Sequence, residues 1–334
     1  NGLITCSHRS QKVCSAIEKT TDLLKDILEI PSSWKALYLS SATQSMEVLL
    51  AGCVEKTSLH FVQGAFAKRF YQVAKGLGKE AHIVNYESLK NIDLQSIDCN
   101  PELVAITLNE TSTGVYFPYD QLKAIREYFP NSLIVLDVVS AVPFYNIDTS
   151  LCDAAFFSVQ KGFGMPAGLG VLLCSPKIIE KASLLEGKVA QSYHSITRLS
   201  KMIDEYQTPS TPCIMLIQLL GKVTKYLLDK GRDTIHKETI EKSILMEKEL
   251  CSNEDISLSI TDCNWRSKTV LVVNTPHAAY LYKELERFGI IVGSGYADKK
   301  ESQLRIANFP MHTLNNAENL CKAVKEISFM LPKI

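Results

Sequence analysis

The sequence predicts a layered α/β protein, with a large domain over residues 1–231 followed by a smaller α+β domain over residues 232–334. Helical and strand-like segments alternate along the chain, the pattern of a sheet covered by helices. Several strand-like segments are continuous apolar runs, as in Leu133-Ile134-Val135-Leu136, and read as buried strands. The texture changes after Pro212, where two long helical stretches meet at Gly231 and shorter strands and helices follow. A length of 334 residues fits two such units at about 150 residues per domain.

Taken in order, residues 11–28 carry Val13, Ile17, Leu23, Leu24 and Ile27 at helical spacing and stop ahead of Pro31. Residues 36–39 are a short strand, 45–53 a helix and 58–62 a strand. Residues 66–77 form a helix closed by Gly78, since glycine tolerates the left-handed backbone that ends helices. Residues 81–84 and 103–108 are strands, and 120–128 are a helix ended by Pro130. Residues 132–136, 154–158 and 170–174 are further apolar strands, the last two flanking Gln160-Lys161-Gly162. Helices at 214–230 and 234–251 lead into strands at 257–261 and 268–274. A helix at 278–288, strands near 290–292 and 304–308, and a helix at 315–329 complete the chain.

Composition narrows the function. Lys plus Arg number 36 and Asp plus Glu number 36, so the formal charge is zero. A general nucleic-acid or anionic-membrane binder needs a positive field, and no such partner is expected. A small anion held at one local basic site remains allowed. No apolar run approaches the roughly 18 residues of a membrane span. Ten cysteines are scattered without a C-x-x-C pair, so neither a metal site nor a disulfide scaffold is expected. Such thiols are small core residues in a reducing compartment, which points to the cytoplasm. The chain opens on Asn-Gly-Leu-Ile-Thr, without an initiator Met or a signal-peptide pattern.

Three features carry chemistry. Lys161 lies between an apolar strand and the glycine-rich Gly162-Phe163-Gly164 turn. Most lysines are solvated surface groups, but an ammonium desolvated here becomes a nucleophilic amine suited to a Schiff base. Asp137 ends a buried strand, where α/β sheets bind ligands, although a turn or cap role also suits an aspartate there. A carboxylate for a pyridine nitrogen and a lysine for an aldehyde are what pyridoxal phosphate requires. Ser40-Ser41-Ala42-Thr43-Gln44-Ser45 lies between a strand and a helix start, and can cradle a phosphate or simply cap the helix.

Asn109-Glu110-Thr111-Ser112-Thr113-Gly114-Val115, Asp137-Val138-Val139-Ser140, Gln160-Lys161 and Thr208-Pro209-Ser210-Thr211-Pro212, in that order, resemble the class V, fold-type-I pyridoxal phosphate aminotransferases. Ser7-His8-Arg9-Ser10 and Pro166-Ala167-Gly168-Leu169 are similar to the phosphoserine branch of that family. Ser112-Thr113-Gly114-Val115 and Ser41-Ala42-Thr43 lean toward its alanine–glyoxylate and serine–pyruvate branch. The resemblance spans nearly the whole chain. It implies a mostly parallel central sheet and a homodimer with shared active sites.

By that resemblance, Lys161 bonds the cofactor aldehyde and shuttles the proton, Asp137 pairs with the pyridine nitrogen, and Thr111 binds the ring hydroxyl. Phe66 stacks on the ring where the phosphoserine branch usually has Trp; Ala42, Thr43 and Gln160 hold the phosphate, and Thr208 reaches in from a partner subunit. Arg305 binds the substrate α-carboxylate, a task for which a planar guanidinium is well shaped. His8 and Arg9 meet the distal acidic group from the neighbouring subunit. The family's usual His-Arg pair ahead of the carboxylate arginine is replaced by Ala297-Asp298-Lys299-Lys300, leaving Lys299 or Lys300 as the substitute. Gln207 stands where Asn is common, and Ser40-Ser41 where glycines are. The Gly-Pro-rich segment that precedes Ser-His-Arg in the family is not in this sequence, so the chain is expected to begin just upstream of its substrate motif. The expected reaction is ping-pong transamination between glutamate and 3-phosphohydroxypyruvate. Alanine–glyoxylate or serine–pyruvate transamination is the alternative, and an α/β binding protein without catalysis is the alternative of a different class.

Overall fold

A computed structural model describes residues 6–86, 92–189 and 192–329. Residues 1–5, the start of the segment expected to contact substrate, lie outside that set. Helix α1 (Gln11–Leu28) buries Val13, Ile17, Leu24 and Ile27 of the face its sequence spacing predicts, while Leu23 at its margin is half-buried. Strand β1 (Lys35–Leu39) leads into α2 (Ala42–Cys53), then β2 (Thr57–Val62), α3 (Ala65–Gly76) and β3 (Glu80–Asn85). Strand β4 (Leu103–Thr107) is followed by a small hairpin, β5 (Asn109–Glu110) and β6 (Val115–Tyr116), and by α4 (Tyr119–Tyr128). Strands β7 (Leu133–Asp137), β8 (Ala154–Ser158) and β9 (Gly170–Cys174) precede α5 (Pro176–Leu185), α6 (Ile196–Ile203) and α7 (Ile214–Lys230).

The first seven-stranded sheet has the order β1-β9-β8-β7-β4-β2-β3. Strands β8, β7, β4, β2 and β3 pair in parallel. Strand β9 runs antiparallel to both its neighbours, which leaves β1 in the common direction. Strands β4, β7, β8 and β9 are buried at every position, because helices cover both faces. The carboxyl ends of β1, β2, β4, β7 and β8 therefore lie along one edge. There the loops begin that carry Ser40, Gly64, Asn109, Val138 and Gln160.

The rest of the chain is α8 (Arg232–Leu250), β10 (Ser257–Leu258), β11 (Val270–Asn274), α9 (Ala278–Arg287), β12 (Gly293–Ser294), β13 (Gln303–Ala307) and α10 (Leu314–Phe329). Its strands form an antiparallel sheet ordered β10-β11-β13-β12. Met246, Leu271, Leu281, Ile306, Leu320 and Val324 build a separate apolar cluster there. The β5–β6 hairpin ties the two parts together: Tyr116 N donates to Trp265 O, Ser267 N donates to Gly114 O, and Asn109 Nδ2 donates to Thr269 Oγ1.

Several elements differ from the sequence expectation for physical reasons. Helix α2 begins at Ala42, not residue 45, because Ser41 is its N-cap and accepts a hydrogen bond from Gln44 N at 3.1 Å. Helices α5 and α6 were not expected, although Ser175-Pro176 and Ser195 are ordinary start signals and both serines accept N–H groups of the first turn. The strand expected at 290–292 forms instead at Gly293–Ser294, where pairing with Leu304 and Arg305 fixes it; Ile290 packs into the second cluster. The strand expected at 257–261 is only Ser257–Leu258.

Gly170 shows how closely the first sheet is built around the site. It pairs with Leu39 on β1 and with Ser158 on β8. A Cβ at this position would lie 2.6 Å from the Ser41 carbonyl carbon, in backbone that cannot swing aside. We expect Gly170→Ala to destabilise the protein by about 1–3 kcal/mol through overpacking at the start of α2. Denaturant unfolding checks this, and an unchanged midpoint contradicts it.

Candidate active site

Chain reversals after β1, β4, β7 and β8 converge on a cavity of about 140 Å³ lined by Ala42, Thr43, Phe66, Thr111, Asp137, Gln160 and Lys161. These are the cofactor-binding and catalytic residues that the sequence singled out on this chain. Met46, Arg69, Thr107, Asn109, Val139 and Ser158 also line it.

Asp137 is the last residue of β7, with Thr107 of β4 and Phe156 of β8 as register partners. Only 3% of it is exposed, and Oδ1 accepts a hydrogen bond from Val139 N at 3.0 Å. Burial pushes its carboxyl up to about 7; the Val139 hydrogen bond, Arg69 and Lys161 oppose the shift, while Glu110 adds to it. Lys161 follows β8. Burial, then the nearby Arg305, lower its ammonium below the usual lysine range, while Asp137 and Glu110 pull the other way. A buried carboxyl and a buried amine thus share one cavity, each displaced toward its neutral form.

Another wall is a helix N-terminus. Ala42 N donates to Ser158 Oγ at 2.9 Å, which pins the start of α2 to the end of β8. With Gln44 N bonded to Ser41 Oγ, two of the first-turn N–H groups are already paired, and the positive end of the α2 dipole stands at the Ser41–Thr43 side of the cavity. A chain of hydroxyls closes a further side: Thr111 Oγ1 donates to Ser140 Oγ at 2.8 Å, and Ser140 Oγ donates to Asn109 O at 2.7 Å. Phe66, half-buried on α3, faces Tyr296 at 6.0 Å between ring centroids, and the Arg69 guanidinium carbon lies 5.1 Å from the Phe66 ring. Among the described residues Arg69 makes no hydrogen bond and no ion pair.

The cavity fits pyridoxal phosphate on observations independent of any family. Thr107 Oγ1 and Asn109 Oδ1 are buried without a hydrogen-bond partner, and both residues line it. The donor set is a carboxyl group, a free amine and a helix N-terminus, matching a ring nitrogen, an aldehyde and a phosphate.

The expected substrate residues are placed less directly. Arg305, on β13, donates from Nε to Ser294 O at 2.8 Å and from Nη1 to Thr111 O at 3.4 Å, so it abuts the cavity through Thr111 without lining it. Thr208 lines a neighbouring cavity with Ser40, Gln44, Gly168 and His194, and donates to Ser210 O at 2.7 Å. Arg9 is exposed and donates to Gln207 Oε1 at 2.6 Å; His8 is half-buried and lines neither cavity. Lys299 and Lys300 are exposed.

Sequence reasoning missed Arg69, Ser158 and the part played by Glu110. Arg69 follows Phe66 by one helical turn on the same face, a signal available from spacing alone. Ser158 and Glu110 are legible only from tertiary contacts. Among the described residues, no helix is long and apolar enough to cross a membrane and no group of His, Cys, Asp or Glu side chains could hold a metal ion. None of the ten cysteines is in a disulfide.

Comparison with known proteins bears on this geometry. The family described as "Aminotransferase class-V" matches residues 1–318. A phosphoserine aminotransferase of Rhodococcus opacus (strain B4) is 25% identical over 328 residues, covering 95% of this chain and 86% of the relative. The crystal structure of a phosphoserine aminotransferase from Cytophaga hutchinsonii superposes with a TM-score of 0.92 at 40% identity, covering 96% of this chain and 91% of the other. An alanine–glyoxylate aminotransferase from Nostoc sp. superposes with a TM-score of 0.87 at 21% identity, covering 97% and 89%, a likeness of fold alone.

The raised Asp137 carboxyl has a measurable consequence in the cofactor-free protein. Below the ordinary carboxylate range Asp137 is protonated in both folded and unfolded chains. As pH rises toward 7 the unfolded chain ionises first, so Asp137 draws stability down through that window and no further above it. We expect Asp137→Asn to gain on the wild type between about pH 4 and 7, by up to roughly 4 kcal/mol if the full shift is realised. Urea unfolding of the two proteins across that range checks it, and parallel stability curves contradict it.

Proposed function

The chain belongs to the class V aminotransferase family, and from that premise we propose that it is a pyridoxal-phosphate-dependent phosphoserine:2-oxoglutarate aminotransferase of serine biosynthesis. The observation that carries the proposal is the convergence of Lys161, Asp137 and the α2 N-terminus on one buried cavity. The 40% identity to the Cytophaga hutchinsonii enzyme supports the phosphorylated substrate.

When bound, the cofactor supplies an electron sink for a carbanion at the substrate α-carbon. The chain's own residues do the rest. Lys161 Nζ, desolvated and beside Arg305, is held toward its free-base form, so it can bond an aldehyde. As a free base, Lys161 Nζ would take the proton from the substrate α-carbon and return it on the other side of the reaction. Asp137 would face the protonated ring nitrogen, and that cation would favour its carboxylate against the upward push of burial. Thr111 would bind the ring hydroxyl, Phe66 would cover a ring face, and Ala42, Thr43 and Gln160 would hold the phosphate.

Arg305 receives the substrate α-carboxylate from its position beside Thr111. In our proposal two copies of the chain form a homodimer, with Thr208, His8 and Arg9 entering each cavity from the other copy. This accounts for their distance from the cavity of their own chain. We further propose a large cofactor domain over residues 1–231, a small domain over 232–334, and a cytoplasmic location, in line with ten cysteines outside any disulfide.

One observation favours a second reading. Lys299 and Lys300, the substitutes expected for the family's His-Arg pair, are exposed on a turn instead of lining the cavity. A substrate without a distal acidic group, as in alanine–glyoxylate or serine–pyruvate transamination, needs no such contact.

A donor panel separates the readings. We expect phosphoserine to exceed alanine and serine in kcat/KM by at least about 100-fold, since a distal dianion adds charge-assisted hydrogen bonds. Alanine or serine ahead of phosphoserine contradicts the proposal. In the same assay Arg305→Ala should raise KM for every amino donor by about 10- to 100-fold, the loss of one charge-assisted contact.

A further inference from the structure

We infer that Glu110 is a positioning residue: its carboxylate, with the Ser112 hydroxyl, caps the first turn of α3 from across the chain and thereby sets Phe66 against the Lys161 cavity. The inference rests on reading that cavity as the cofactor site.

A helix begins with N–H groups that lack partners within it, and an N-cap side chain usually supplies one. The N-cap of α3 is Gly64, which has no side chain. The hairpin supplies the partners instead. Ala65 N donates to Ser112 Oγ at 2.9 Å, and Phe66 N and Ala67 N donate to Glu110 Oε2 at 3.1 and 3.0 Å. Glu110 Oε1 accepts Ser112 N at 3.0 Å and Ser112 Oγ at 2.6 Å. Three successive helix N–H groups are thus satisfied by two side chains more than forty residues away in sequence. A Cβ on Gly64 would collide with both Glu110 Cγ and Ser112 Oγ, so glycine is required because the borrowed cap fills its side-chain space.

The same carboxylate has an electrostatic reach. Glu110 is fully buried and accepts four hydrogen bonds from neutral donors. Around it stand Asp137 on β7, Lys161 after β8, Arg305 on β13 and Tyr86 after β3, each of which feels its charge. It supports the protonated amine of Lys161 and the cation of Arg305 while opposing the anion of Asp137. The carboxylate also compensates the positive end of α3, whereas the first turn of α2 carries no acidic residue.

Glu110→Gln removes the charge and, having one acceptor oxygen, cannot serve both the helix N–H groups and Ser112. Glu110→Asp keeps the charge on a shorter arm. Ser112→Ala removes one cap and leaves the charge. The full-length protein loaded with pyridoxal phosphate gives kcat and KM. The same protein stripped of it gives the pH midpoint of Lys161 reactivity, by competitive acetylation with acetic anhydride and peptide mass spectrometry. We expect Glu110→Gln to lower kcat at least about tenfold with donor KM changed less than about threefold, and to move the Lys161 midpoint to lower pH by half a unit or more. Glu110→Asp should restore the midpoint but only part of kcat.

Should Glu110→Gln not fold, Ser112→Ala decides: a kcat reduced about three- to tenfold with an unmoved Lys161 midpoint supports the inference. A folded Glu110→Gln with wild-type kcat or an unmoved midpoint overturns it, as does a Glu110→Asp midpoint equal to that of the glutamine variant. So does wild-type kcat in Ser112→Ala where Glu110→Gln does not fold. A wild-type protein without transaminase activity sinks the functional reading instead, while the acetylation midpoints still decide the electrostatic part of Glu110's role.

Discussion

The constraint on which the site depends is a carboxyl group buried at the carboxyl end of the central strand. Asp137 sits where apolar strands leave almost no water, and a lone carboxylate there is costly. The surroundings answer with cations, Lys161 from the next strand and Arg69 from α3, yet not enough to keep the carboxyl in its ordinary range. An empty cavity therefore holds a group pushed toward its neutral form, and a ligand cation at Asp137 relieves the strain. On the proposed reading, that cation is a protonated ring nitrogen.

The topology follows from serving that group. A parallel sheet gathers the ends of β1, β4, β7 and β8 on one edge, so residues far apart in sequence reach one cavity. Gly170 lets the Ser41 backbone lie against β9, and Ser158 Oγ fixes Ala42, so the helix start and the buried carboxyl are held in one frame. The β5–β6 hairpin joins that frame to the second sheet, whose strand β13 carries Arg305 to the carbonyl of Thr111. Zero net charge over the chain is compatible with this concentration of Lys161, Arg69 and Arg305 in one region, provided Asp137 and Glu110 stand among them.

Much of this was legible in the amino-acid sequence. The apolar run ending at Asp137 and the glycine-rich turn after Lys161 mark both residues, because burial of a strand shows in composition and strand ends are where α/β sheets act. The buried face of α1 was readable from periodicity. Glu110 was not, since a cap supplied from another element leaves only an unexplained glycine at position 64 and no local pattern. Ser158 reads as the polar end of a strand until its contact with Ala42 N is seen. Strand β12 escaped for a related reason: two residues held by pairing with β13 carry no periodic signal, while the apolar Ile290 beside them belongs to a core.

The central claim is that the amine of Lys161 and the carboxyl of Asp137 form one cofactor site. Borohydride reduction of the protein reconstituted with pyridoxal phosphate, followed by peptide mass spectrometry, tests it most directly. The account predicts a single phosphopyridoxyl adduct on Lys161, much diminished in Asp137→Ala. An adduct on another lysine, an even spread over surface lysines, or the same yield in Asp137→Ala would contradict it.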